Sequence, residues 1–85
     1  MKYRILNVKA TIDNDEYILL NMANGKFYGL DNVGSEIWKM IEDGNEFNQI
    51  VDNLHEKYGE DKERINEDIK KYIDKLTKSG LVRQY

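Results

Sequence analysis

One histidine, two serines and a short run of acids are the residues through which this 85-residue chain could do covalent or metal chemistry. His55 stands between Leu54 and Glu56, with no second histidine and no cysteine to share a metal. A site there would rest on carboxylates alone, so the residue reads as a solvated one on a helix flank. Ser35 and Ser79 have no histidine or lysine at a spacing that suggests an activated hydroxyl. The run DNDE, with Asp13, Asp15 and Glu16, imitates the start of a calcium loop. It lacks the glycine at the sixth position and the closing glutamate, and reads as a turn. The glycines lie singly at the ends of elements and build no phosphate cradle. The pattern points away from an enzyme acting alone and calls for no cofactor. What remains is backbone and aromatic chemistry. The stretch GKFYGL, residues 25–30, puts Phe27 and Tyr28 on a strand that nothing later in the chain obviously covers. Proline is absent from the chain, and Lys26 is the one charge there that discourages strand pairing. Such an edge offers unpaired N–H and C=O groups to an added strand.

Positioning that strand is the work of the rest of the chain. At 85 residues the sequence makes one domain, 1–85, with a small core. No cysteine is present to reinforce it. The N-terminal MKYRILNVKATID lacks the apolar run of a signal peptide, and no stretch approaches a membrane span, so a cytoplasmic protein is expected. The formal charge is −3, with both signs interspersed, which argues against a dedicated binder of phosphate backbones.

The first third reads as strands. Residues 3–12 place Tyr3, Ile5 and Val8 among polar residues without clean alternation and form one strand. EYILLNM, residues 16–22, is an apolar run of β-formers, and Asn24-Gly25 is a strong hairpin signal before a third strand at 26–30. Alternation there sets Tyr28 and Leu30 on one face, Phe27 and Gly29 on the other. From residue 31 the period becomes helical. Asp31 caps a helix with Val33, Ile37, Met40 and Ile41 on its stripe and Trp38 at the border, ended by Gly44. Asn45 caps a second with Phe47, Ile50, Val51, Leu54 and Tyr58, ended by Gly59. Asp61 caps a third with Ile65, Ile69, Tyr72, Ile73 and Leu76, ended by Gly80. Leu81 and Val82 fold back as an apolar tail. The architecture is α+β: a three-stranded antiparallel sheet followed by three α-helices packed on one face.

The third helix carries six bases and five acids over residues 61–80. Glu67–Lys71 and Asp74–Lys78 are i,i+4 pairs in the favourable order, so a salt-laced solvated face accounts for most of them. A DNA-reading helix would carry its bases with few acids among them. Helical projection lines Asp68, Lys71 and Lys75 along one side, with Tyr72 at the inner margin. Tyr28 and Tyr72 either complete the core or line a groove.

The ordered series GKFYGL, DNVGSEIW, IVDNLHEKY and EDIKKYIDKLTKSGLV resembles the PqqD-like family, also called RiPP recognition elements. The resemblance runs from about residue 3 to residue 82. Asn32 stands where many relatives have proline. The resemblance implies a winged-helix-like domain that binds the leader segment of a ribosomally made precursor peptide, free-standing or fused to a maturation enzyme. It implies that the leader adds as a strand to the third strand, here Lys26, Phe27, Tyr28, Gly29 and Leu30. The helix wall of that groove would be Asp68, Lys71, Tyr72 and Lys75. The implied partners are the precursor leader and a maturation enzyme, either a leader peptidase, as in lasso-peptide pathways, or a radical-SAM maturase. The competing expectations are a winged-helix nucleic-acid binder and a module that homodimerises by sheet extension.

Overall fold

The computed structural model describes all residues, Met1–Tyr85. The chain runs β1 (Tyr3–Ile5), β2 (Val8–Asp13), β3 (Glu16–Asn21), β4 (Lys26–Gly29), α1 (Asn32–Glu42), α2 (Phe47–Tyr58), α3 (Lys62–Lys78) and β5 (Val82–Gln84). Strands β2, β3 and β4 form an antiparallel sheet in that order, and β1 pairs separately with β5. This is the expected α+β arrangement, with two corrections at its ends. Residues 3–12 are not one strand. Tyr3 and Ile5 face inward in β1 and Val8 and Ala10 in β2, so the facing parity slips by one residue between them. That slip explains the missing alternation. It falls where Leu6 N–H donates to Leu81 C=O and the chain changes partners from β5 to β3. The apolar tail is likewise more than a tail: Val82–Gln84 is β5, and Leu81 and Val82 are fully buried.

Inward-facing Tyr17 and Leu19 of β3 join helix residues in a core of 17 side chains, in which Leu19, Trp38 and Ile50 are completely buried. Trp38 is therefore central to α1 rather than at its border. Its indole N–H donates to Glu42 Oε2 at 3.2 Å, which satisfies the polar edge of an otherwise buried ring. The α1 stripe is rotated accordingly and leaves Val33 exposed. Tyr58 is also exposed and donates to Glu36.

Helix ends follow local chemistry. The Asp31 carboxylate accepts from Gly34 N–H at 2.7 Å and starts α1, with Asn32 in the first helical position. The cap of α2 is Glu46, not Asn45: Glu46 N–H donates to the Gln49 side chain, while Asn45 donates back to the Met40 carbonyl. Asp61 occupies the cap position of α3 without a side-chain hydrogen bond. The hairpins also exchange roles. Asn14 and Asp15 both take positive φ and make the two-residue turn between β2 and β3. Between β3 and β4 only Gly25 is left-handed, and the Asn24 side chain instead accepts from Lys26 N–H.

Candidate functional site

The outer strand β4 pairs with β3 on one side and with nothing on the other. Its ladder phase is set by Leu30 N–H, which donates to Tyr17 C=O at 2.9 Å. In an antiparallel pair the inward and outward groups alternate. Tyr28, opposite Leu19, therefore turns its N–H and C=O toward β3, and Phe27 and Gly29 turn theirs toward the open edge. Of the five strand residues expected to receive a peptide, Phe27 and Gly29 thus hold the free backbone groups. Lys26 is exposed at the start of β4. Tyr28 packs against the core from a half-buried position. Leu30 lies just past β4, is buried, and has its donor already engaged.

Two fixed points hold α3 alongside this strand. At its C-terminal end, Asn21 Nδ2 donates to the Ser79 carbonyl at 2.9 Å, and Asn21 faces Lys26, the first residue of β4. Further back, Tyr72 lies over Gly34, just beyond the end of β4; a Cβ at Gly34 would collide with the phenol hydroxyl. The stretch from Tyr72 to Ser79 rises about 10 Å, close to the length of β4, so the last two turns of α3 run opposite to the strand. Asn21 is a buried amide at an inward position of β3, and it also accepts from Ala23 N–H. Sequence reading missed it, although a polar residue in the 17–19–21 parity series was the available signal.

On the helix wall, Asp68, Lys71 and Lys75 are exposed and none takes part in an ion pair. The expected Glu67–Lys71 pair does not form, whereas Lys78 meets Asp74 at 3.0 Å. Tyr72 is half-buried, and its hydroxyl oxygen is shielded from solvent with no hydrogen-bond partner. Burial, with the nearby Asp31 carboxylate, pushes its pKa up to about 12. Tyr72 and Asp68 border a cavity of about 390 Å³ reached from the end of β4, floored by Ile37, Leu54, Ile65 and Ile69. Gly34 and Glu60 in the same wall were not singled out from sequence and Asp31 was read only as a helix cap, because they meet through the packing of separate elements.

The serines and the histidine have structural surroundings. Ser35 Oγ is buried and accepts from Tyr17 N–H at 2.8 Å, tying α1 to β3. Exposed His55 donates from Nδ1 to the Glu60 carbonyl. No helix is long and apolar enough to cross a membrane.

Among solved structures, the chain is similar to one described as TbiB1 in complex with the TbiA(beta) leader peptide. The TM-score is 0.92 at 32% identity, over 100% of this chain and 98% of that one. It also superposes on a lasso peptide synthetase B1 complexed with the leader peptide, with a TM-score of 0.91. That match covers 99% of this chain and 100% of the other at 16% identity, and shows a shared fold. No curated protein matches the chain. The family model for coenzyme PQQ synthesis protein D (PqqD) matches residues 16–82, and the chain belongs to the PqqD family.

Proposed function

We propose that this protein binds the leader segment of a ribosomally synthesised precursor peptide as a strand added to β4, and presents it to a maturation enzyme. The observation that carries the reading is an open β4 edge framed by α3, in a chain 32% identical to a relative solved with a leader peptide. Its role is binding rather than catalysis.

Magnitudes say what the groove must supply. The free groups of Phe27 and Gly29 make at most four hydrogen bonds, each contributing about 1 kcal/mol net. Micromolar affinity corresponds to about 8 kcal/mol, so roughly half comes from elsewhere. At about 25 cal/mol per Å² that remainder needs about 160 Å² of apolar surface, one aromatic ring or two aliphatic side chains of the peptide. Tyr72 and the cavity beside it provide the protein's side of that contact. Exposed Phe27 projects to the opposite face of the sheet, where Ile18 is also exposed, and would flank the added strand from there. Lys26 and Lys75 lie toward the start of β4 and Asp68 toward its end, so the groove carries opposite charge at its two ends. The receiving enzyme is a leader peptidase or a radical-SAM maturase.

Calorimetric titration with the leader of a candidate precursor peptide tests the reading. Saturable one-to-one binding that persists in moderate salt is expected, because apolar contact carries much of the affinity. No binding of the leader, together with tight duplex-DNA binding that survives the same salt, would overturn it.

A further inference from the structure

The cavity at the end of β4 has a chemical character that its size alone does not convey. Its floor is aliphatic, and its mouth carries three carboxylates, Asp31, Glu60 and Asp68, with no lysine or arginine among the lining residues. None of the three acids forms an ion pair anywhere in the molecule. Asp31 spends one oxygen on the α1 cap and keeps the other. The Tyr72 ring stands in the same wall, with its hydroxyl buried over Gly34. An apolar floor, three unpaired acids and an aromatic ring thus line one cavity.

We propose that this cavity receives one lysine or arginine side chain of the bound peptide and so selects a basic residue at a single leader position. The inference rests on the leader-binding reading of β4. A basic side chain fits both halves of the cavity: its methylene stem lies on Ile37, Ile65 and Ile69 while its charged head stays at the mouth. The head donates to Asp68 and Glu60 in charge-assisted hydrogen bonds, and the stem packs beside the Tyr72 ring. An aliphatic residue would cover the floor but leave the carboxylates unanswered. An acidic residue would meet three like charges.

The position beyond the strand also fits. A peptide paired with Phe27 and Gly29 continues past the end of β4 toward Asp31 and Gly34, where the cavity opens. The acids there set the register of the added strand, which main-chain pairing alone leaves free to slip by two residues.

Selection of a displayed library of random short peptides on the intact protein tests this, and it needs no leader sequence. The expected result is enrichment of Lys and Arg by about tenfold at one fixed position of the selected set. The enrichment should vanish when selection is repeated on Asp68→Asn/Glu60→Gln, while peptides are still captured. An aliphatic or aromatic preference at that position, unchanged in the double variant, would overturn the inference and leave the β4 reading intact. Failure of the wild-type protein to capture any peptide would overturn both.

Discussion

Two concavities of the molecule stand out from several minor ones, and the smaller of the two is the better candidate for a binding site. An open groove of about 1010 Å³ lies between α1, α2 and the β2–β3 turn, and the cavity of about 390 Å³ lies between α1 and α3. In the larger groove both lysines are matched by acids, while Asp15 and Glu56 stay unpaired. Lys57 binds Glu36 at 2.6 Å, and Lys39 meets Asp43 at 3.2 Å. Tyr17 donates to Glu42 at 2.8 Å. In the smaller one Asp68, Glu60 and the Tyr72 hydroxyl have no partner. The two sheet edges differ in the same sense. Met22 N–H donates to Asn7 C=O, which by alternation turns Val8, Ala10 and Ile12 outward on β2, as Phe27 and Gly29 are on β4. Both edges are open, but the tip of β2 borders a groove of mixed, partly paired charges, whereas β4 leads into the cavity whose charged residues are all acids. Charge of one sign over an aliphatic floor marks a site better than volume does.

The sharpest way to break this comparison is to block each edge in turn. Phe27→Pro removes an outward donor from β4 and sets a ring where the added strand would lie, at a position an edge strand tolerates. Leader affinity should fall about a hundredfold, through the lost bond and the displaced strand. Ala10→Pro makes the matching change on β2 and should leave affinity within twofold of wild type. Parallel titrations decide it, and equal losses at the two edges would erase the distinction.

Tyr72→Ala comes next in size. The ring is half-buried over Gly34, so its loss should lower stability by about 2 kcal/mol as well as weaken binding. Chemical denaturation and titration on one variant measure both effects. A drop in stability with full affinity retained would return Tyr72 to the core alone.

The two sets of acids give a smaller contrast. Asp68→Ala should weaken leader binding about tenfold and leave the thermal midpoint nearly unchanged, since its carboxylate holds nothing in the free protein. Glu36→Ala removes the partner of Lys57 and Tyr58 in the larger groove and should leave leader affinity unchanged. Reversal of these outcomes would move the site to the α1–α2 side.

The smallest effect concerns pH. Tyr17 is pushed up to about 12 by burial and by its hydrogen bond to Glu42, and Tyr72 to a similar value by burial and by Asp31. A phenol whose folded-state pKa exceeds its unfolded value of 10 stabilises the fold in full below pH 10. That contribution disappears as pH rises from 10 to about 12. Urea midpoints across this range should fall steadily, and less steeply in Tyr17→Phe. A flat profile would contradict the burial of both hydroxyls.

What can be read from residues alone follows the range of the interactions. The β3–β4 hairpin and all three helices are legible because their periods and end residues act within a few positions. Alternation alone separates the face of Tyr28 and Leu30 from that of Phe27, and the structure turns the first two inward and Phe27 outward. The pairing of β1 with β5 is hidden because it joins residues at opposite ends of the chain, and no local pattern in Val82–Gln84 demands a partner. Helical periodicity sets Trp38 too far out because its i+4 partner Glu42 lets an indole go fully under. Within the site, Asp68 and Tyr72 come from helical projection. Glu60, Asp31 and Gly34 join them only through packing of separate elements, and the Asn21–Ser79 anchor spans 58 positions of the chain.

Amide hydrogen exchange of the protein with and without its leader tests the central claim most directly. The Phe27 and Gly29 amides should slow on binding, while Tyr28, already bonded to β3, changes little. Val8, Ala10 and Ile12 on the other edge should exchange as before. Slowing at Val8, Ala10 and Ile12 with Phe27 and Gly29 unaffected would contradict the assignment of β4 as the binding edge.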